Sequence, residues 1–154
     1  MKKFQIVSDI HGNLKDDRAC EAATAFARRF NPEIRVIAGD LWDFAAIRQG
    51  ASEDDRAISM RDDFEAGRDF ANDFFGETSE NVLMLGNHDI RAYDLRECTD
   101  AVKSDLGHRM VADIKAVAFK HNAKLIDYDA REGVYEIGVV LEGDGLDVCN
   151  HPVA

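Results

Sequence analysis

Apolar residues along this chain fall either in short unbroken runs or at three- and four-residue spacing, and the two patterns alternate. The first run, residues 4–7, predicts a buried strand over residues 4–8, and Gly12-Asn13 supplies the turn out of it. Over residues 14–30, Ala19, Ala22, Ala23, Phe26, Ala27 and Phe30 mark one face of an amphipathic helix. Asp16 and Asp17 stand near its positive end and Arg28 and Arg29 near its negative end, and Asn31-Pro32 stops it. Residues 34–38 form a second apolar run, the pattern of a strand covered on both faces. Strand, helix and strand in succession make a βαβ unit, whose crossover is right-handed.

Residues 44–81 carry less signal and read as a helical insertion. The charged stretch from Ser52 to Phe75 offers Ile58, Met60, Phe64, Phe70, Phe74 and Phe75 as buried positions, in one long helix or two short ones ending at Gly76. Its Asp54-Asp55 and Asp62-Asp63 pairs are expected to face solvent. Residues 82–85 predict a third buried strand, residues 99–121 a helix, and residues 125–127, 134–141 and 146–149 further strands. The expected class is α/β, in a single domain over residues 1–154.

Composition narrows the function classes. A net charge of −11 argues against broad electrostatic attachment to nucleic acid backbone or to an anionic membrane. It leaves a nucleic acid substrate open, because bound divalent cations reverse the sign locally. Cys20, Cys98 and Cys149 show no paired metal-binding spacing and suit reduced thiols. With neither a signal-peptide pattern nor a membrane span in the sequence, the expected location is the cytoplasm, without membrane attachment.

Each of the first three strands ends in a polar cluster: Asp9-x-His11, Gly39-Asp40-x-x-Asp43 and Gly86-Asn87-His88-Asp89. In a parallel sheet those C-terminal ends lie side by side, where α/β proteins bind ligands. On extended backbone Asp9 and His11 would point to the same side. Oxygen and nitrogen donors gathered at one edge suit a divalent metal ion such as manganese, iron, zinc or nickel. Gly12, Gly39 and Gly86 leave room for tight turns and close ligand approach.

The order DIHG, GDLWD, GNHD resembles the calcineurin-like metallophosphoesterase family, whose pattern is D-x-H, GD-x-x-D, GNH-[DE], a lone histidine, then G-H-x-H. The first three motifs match in full over residues 9–89. The resemblance implies a two-sheet α/β sandwich flanked by helices, with two divalent metals at the strand ends. Asp9 and His11 then resemble ligands of the first metal, Asp40 the carboxylate bridging both, and Asn87 a ligand of the second. His88 resembles the histidine that binds the substrate phosphate and assists the leaving group, with Asp89 orienting its ring. Asp43 resembles a supporting carboxylate. Arg91 either contacts phosphate or forms a surface ion pair, and Trp42 either lines the pocket or packs in the core. Phe44 stands where protein phosphatases of this kind carry arginine, which argues against a phosphoprotein substrate.

His151 resembles the lone histidine, a second-metal ligand, although Pro152 stands where glycine is common. No G-H-x-H follows. The expectation is therefore a domain lacking its last C-terminal strands: a piece of a longer protein, a metal-poor chain, or a homo-oligomer that borrows ligands from a neighbouring subunit. The implied function is metal-dependent hydrolysis of phosphomonoesters or phosphodiesters, nucleotides and nucleic acid among them. The alternatives are a catalytically weak metal-binding scaffold and a single-metal site built from Asp9, His11 and Asp40.

Overall fold

The computed structural model describes residues 2–128. Four strands, β1 (Phe4–Val7), β2 (Ile34–Ala38), β3 (Glu80–Met84) and β4 (Lys124–Ile126), form one parallel sheet in the order β1-β2-β3-β4. Helix α1 (Asp17–Phe30) joins β1 to β2. Helices α2 (Glu53–Ala57) and α3 (Met60–Phe74) lie between β2 and β3, and α4 (Arg91–Arg96) and α5 (Ala101–Lys120) between β3 and β4. The described residues are thus a mixed α/β unit with a single sheet.

Strand register separates two faces. Val7, Ile37, Leu83 and Leu125 stand level across the sheet and join Ala27 of α1, Phe70 and Phe74 of α3, and Ile114 and Val117 of α5 in the main core. All three long helices therefore pack on one face, as same-handed crossovers stepping in one direction require. The alternate positions Ile34, Val36, Val82 and Met84 form a separate buried cluster on the other face. Phe4 and Ile6 share that face but are each 45% exposed, because β1 has a partner on one side only among the described residues. The expected burial of this first run does not hold: Gln5 and Val7 are half-buried and no residue of β1 is fully buried.

A polar row crosses the N-terminal end of the helix face. Gln5, Arg35 and Asn81 are level in register, and each ties the sheet to a different helix. Gln5 Nε2 donates to the Ala23 carbonyl in α1, Arg35 Nη1 to the Phe74 carbonyl ending α3, and Asn81 Nδ2 to the His121 carbonyl ending α5. Two of these bonds satisfy carbonyls that a helix end leaves without partners. They hold the layers in place from the end opposite the polar clusters.

Local signals account for the element ends. Asp16 caps α1 by accepting from the Ala19 amide, so the helix starts at Asp17 after a 3-10 turn over Gly12–Leu14. Residues 44–81 divide into the short α2 and the long α3, and α3 is the crossover of the second βαβ unit. Helix α4 is too short for the periodicity to show. The expected strands at 134–141 and 146–149, together with Cys149 and His151, lie outside the described residues. Among the described residues no helix is long and apolar enough to cross a membrane.

Candidate metal-binding site

The polar clusters after β1, β2 and β3 meet at one edge of the sheet. The loop leaving β1 runs beside the loop leaving β2: the amides of Asp9, His11 and Gly12 donate to the carbonyls of Gly39, Asp40 and Leu41 at 3.2, 2.9 and 3.0 Å. Asp9 and His11 are not on extended backbone as expected. Their φ values of 57° and 56° are left-handed, and Asp40 repeats this at 53°. Asp and His tolerate that region better than most side chains, so the loops can reverse sharply at residues that also bear donors.

The third cluster is drawn in by Asp40. One of its carboxylate oxygens, Oδ1, accepts from the His88 amide at 2.8 Å, which ties the loop after β3 to that after β2. Gly86 permits the approach, since a Cβ there would overlap both the Asp40 carboxylate and its backbone nitrogen. Asn87 is exposed beside this contact, and its side chain engages no other described residue.

Donor atoms of Asp9, His11 and Asp40 all lie within 4.8 Å of one another. Asp9 Oδ1 and His11 Nε2 are 3.8 Å apart. A second grouping, His11, Asp43 and His88, is already knit by hydrogen bonds. Asp43 Oδ1 lies 3.1 Å from His11 Nδ1 and 2.6 Å from His88 Nδ1. A carboxylate only accepts, so each ring offers it an Nδ1–H, and the neutral form of either ring has its lone pair at Nε2. That is the tautomer a metal ligand or a proton carrier needs. The two rings meet edge-on with centroids 4.7 Å apart.

Arg91 enters the same network. Its Nη1 donates to the Asp43 carbonyl at 2.5 Å and stands 4.0 Å from Asp43 Oδ2, with the side chain 18% exposed. Its ion pair with Asp43 is therefore mostly buried at this edge rather than on the surface. Trp42, in contrast, is fully buried, donating Nε1–H to the Phe64 carbonyl and stacking on Phe44 and Phe64. It belongs to the core.

Two expectations about carboxylates are corrected. Asp89 does not orient the His88 ring. It is fully buried and accepts from the amides of Trp42 (2.9 Å) and Gly86 (2.8 Å), clamping the loops after β2 and β3 together. Burial pushes its carboxyl up to about 6, against the pull of those amides. The residue that orients His88 is Asp43. Nor does Asp63 face solvent: it is 1% exposed and accepts from the amides of Asp43 (3.3 Å) and Phe44 (2.6 Å). Burial raises its carboxyl above the usual range too. Asp63 thereby fixes Phe44, a bulky residue at φ 50°, and with it the segment carrying Asp43.

The signal for Asp63 was present in the sequence. Met60, Asp63, Phe64, Gly67, Phe70, Ala71 and Phe74 follow the period of one helix face, and a carboxylate in phase with that face is a buried one.

Asp40, Asp43, Asp63 and Asp89 are all buried at this edge, with Arg91 as the neighbouring permanent cation in contact. Buried negative charge is costly unless paired. Asp63 and Asp89 are answered by amides alone, whereas Asp40, which has the His88 amide, also lies with Asp9 and His11 in a set of donor atoms within 4.8 Å of one another. Mixed oxygen and nitrogen donors in that spacing fit a divalent ion.

No protein-family model matches this chain. No curated protein matches it either.

Proposed function

We propose that this chain is a metal-dependent phosphoesterase, hydrolysing phosphomonoesters or phosphodiesters, with nucleotides and nucleic acid among the candidate substrates. The observation that carries the reading is the pairing of a donor set, Asp9, His11 and Asp40, with a histidine held by a carboxylate, His88 on Asp43. A bound divalent ion would polarise the phosphoryl group and lower the pKa of water beside it.

The chain's own residues supply the rest. Asp43 holds the Nδ1 proton of His88 and stabilises the ring once Nε2 has also taken a proton, and that Nε2–H can then pass to a departing alkoxide or donate to a phosphoryl oxygen. Arg91 keeps the Asp43 segment in place through the 2.5 Å bond and brings a fixed positive charge to the site.

The finer features follow the family resemblance. They are a second divalent ion shared between Asp40 and Asn87, His151 as a further ligand, a second sheet completing the sandwich, and a cytoplasmic location. The exposed, unengaged Asn87 beside Asp40 supports the second ion.

The test is metal content of the purified chain together with hydrolysis of bis(4-nitrophenyl) phosphate before and after manganese addition. Manganese-dependent turnover that is lost in His88→Ala, with metal still bound, supports the enzyme. Metal binding without turnover in the parent chain would leave the scaffold reading in its place, and no binding at all would remove both.

A further inference from the structure

We propose that the cavity lined by Arg48, Arg56 and Lys103 is an anion-binding subsite that holds a second phosphate of the substrate. The identity of its occupant rests on the phosphoesterase reading above. The cavity measures about 570 Å³ and has an apolar floor that includes Ile47, Leu95 and Leu106. It is framed by the 3-10 turn Ala45–Ile47 and by residues of α2, α4 and α5.

Its charge runs against that of the molecule. In a chain of net charge −11, three basic residues and no carboxylate line this cavity among the described residues. The neighbouring groove beside Phe44 and Met60 shows the ordinary arrangement, with Arg61 and Arg68 accompanied by Glu65 and Asp113. Arg48 is fixed by Asp55 at 2.7 Å, and the same Asp55 oxygen accepts from the Ser52 amide and hydroxyl, both at 2.8 Å. Arg56 and Lys103 make no ion pair among the described residues. One cation is thus held in position and two are free, which favours an incoming anion over an internal partner.

Position links the cavity to the candidate metal site. Ile47 lies four residues beyond Asp43 and ends the 3-10 turn that follows it. On α4, Leu95 lies one turn, about 5.4 Å, beyond Arg91, whose guanidinium bonds the Asp43 carbonyl. The two sites thus sit on the same two segments, and a substrate carrying a second phosphate beyond the one at the metal site is the ligand that could engage both. The apolar floor then faces the organic part of the molecule rather than its charge.

The first arm of the test titrates inorganic pyrophosphate into chelator-treated chain by calorimetry at low salt, comparing the parent with Arg56→Gln/Lys103→Gln. Binding weakened at least about tenfold in the variant supports the subsite. Equal binding by both chains, or none by the parent, overturns it. The second arm compares hydrolysis of 4-nitrophenyl phosphate and adenosine 3′,5′-bisphosphate by the manganese-loaded chains. The subsite predicts that the variant keeps kcat and KM for the first ester and raises KM about tenfold for the second. If neither ester is hydrolysed while pyrophosphate binding still depends on Arg56 and Lys103, the anion site stands and the phosphoesterase reading fails. Identical kinetics for both chains on both esters would leave that reading standing and remove the subsite.

Discussion

Asp43 Oδ1 lies 2.6 Å from His88 Nδ1 and 3.1 Å from His11 Nδ1, so one carboxylate oxygen sets the tautomer of two histidines from different strand ends. Replacing it by an amide offers an N–H where both rings need an acceptor, or a weaker neutral oxygen. Asp43→Asn is expected to leave the fold intact but to lower manganese-dependent turnover at least about a hundredfold. Long-range proton–nitrogen NMR of the two rings gives a readout separate from activity. The parent chain should show Nδ1-protonated rings, and a mixed population should appear in the variant. Unchanged tautomers in Asp43→Asn would mean that another group orients the rings.

Asp63 acts at one remove, through the backbone it holds. Asp63→Ala strips the acceptor from the amides of Asp43 and Phe44 inside the core, where each unmade bond costs roughly 1–3 kcal/mol. Loss of the bond that holds Phe44 at φ 50° also frees the segment carrying Asp43. Denaturant unfolding should show a destabilisation of at least about 2 kcal/mol. A surface control, Asp62→Ala, should change stability by less than about 0.5 kcal/mol. Equal effects at the two positions would contradict the burial of Asp63.

Gly86 is required by contact rather than by its own backbone angles. A Cβ at this position would overlap Asp40, displacing the carboxylate that bonds the His88 amide and faces His11. Gly86→Ala should therefore weaken manganese binding about tenfold or more in calorimetry, beyond a packing cost of about 1–3 kcal/mol in stability. Full metal affinity in a destabilised variant would place the metal away from Asp40.

Much of this arrangement is legible in the sequence. The apolar runs ending in Asp9-x-His11, Gly39-Asp40 and Gly86-Asn87-His88 marked both the parallel strands and the edge where their donors gather, because strand period and strand ends are local properties. The division of labour among carboxylates was not legible. Asp89 follows His88 in sequence, and adjacency suggested that it orients the ring. The tight turn instead sends Asp89 inward to the amides of Trp42 and Gly86, and Asp43 reaches the ring from another loop. Such partnerships depend on loop geometry across a sequence separation of 45 residues. The left-handed backbone at Asp9, His11 and Asp40 was hidden for the same reason: it follows from the pairing of two loops, not from local preference.

At the opposite end of the sheet, His121 gives the fold a pH dependence of its own. It ends α5, its Nε2 lies 2.9 Å from Asn72 Oδ1 on α3, and its ring tilts against Phe75. Lys120 donates to the same Asn72 oxygen at 2.7 Å. Burial, with a smaller contribution from the Lys120 charge, holds the imidazole below its ordinary value of 6.5. The unfolded chain therefore takes up this proton first as pH falls. The stability that neutral His121 contributes is fully present above its unfolded pKa and is lost as pH drops through that value toward the folded one. His121→Gln retains a donor to Asn72 without titrating. Thermal unfolding between about pH 7 and pH 5.5 should show a shallower decline in Tm for the variant than for the parent chain. Parallel declines would assign the acid sensitivity to other groups.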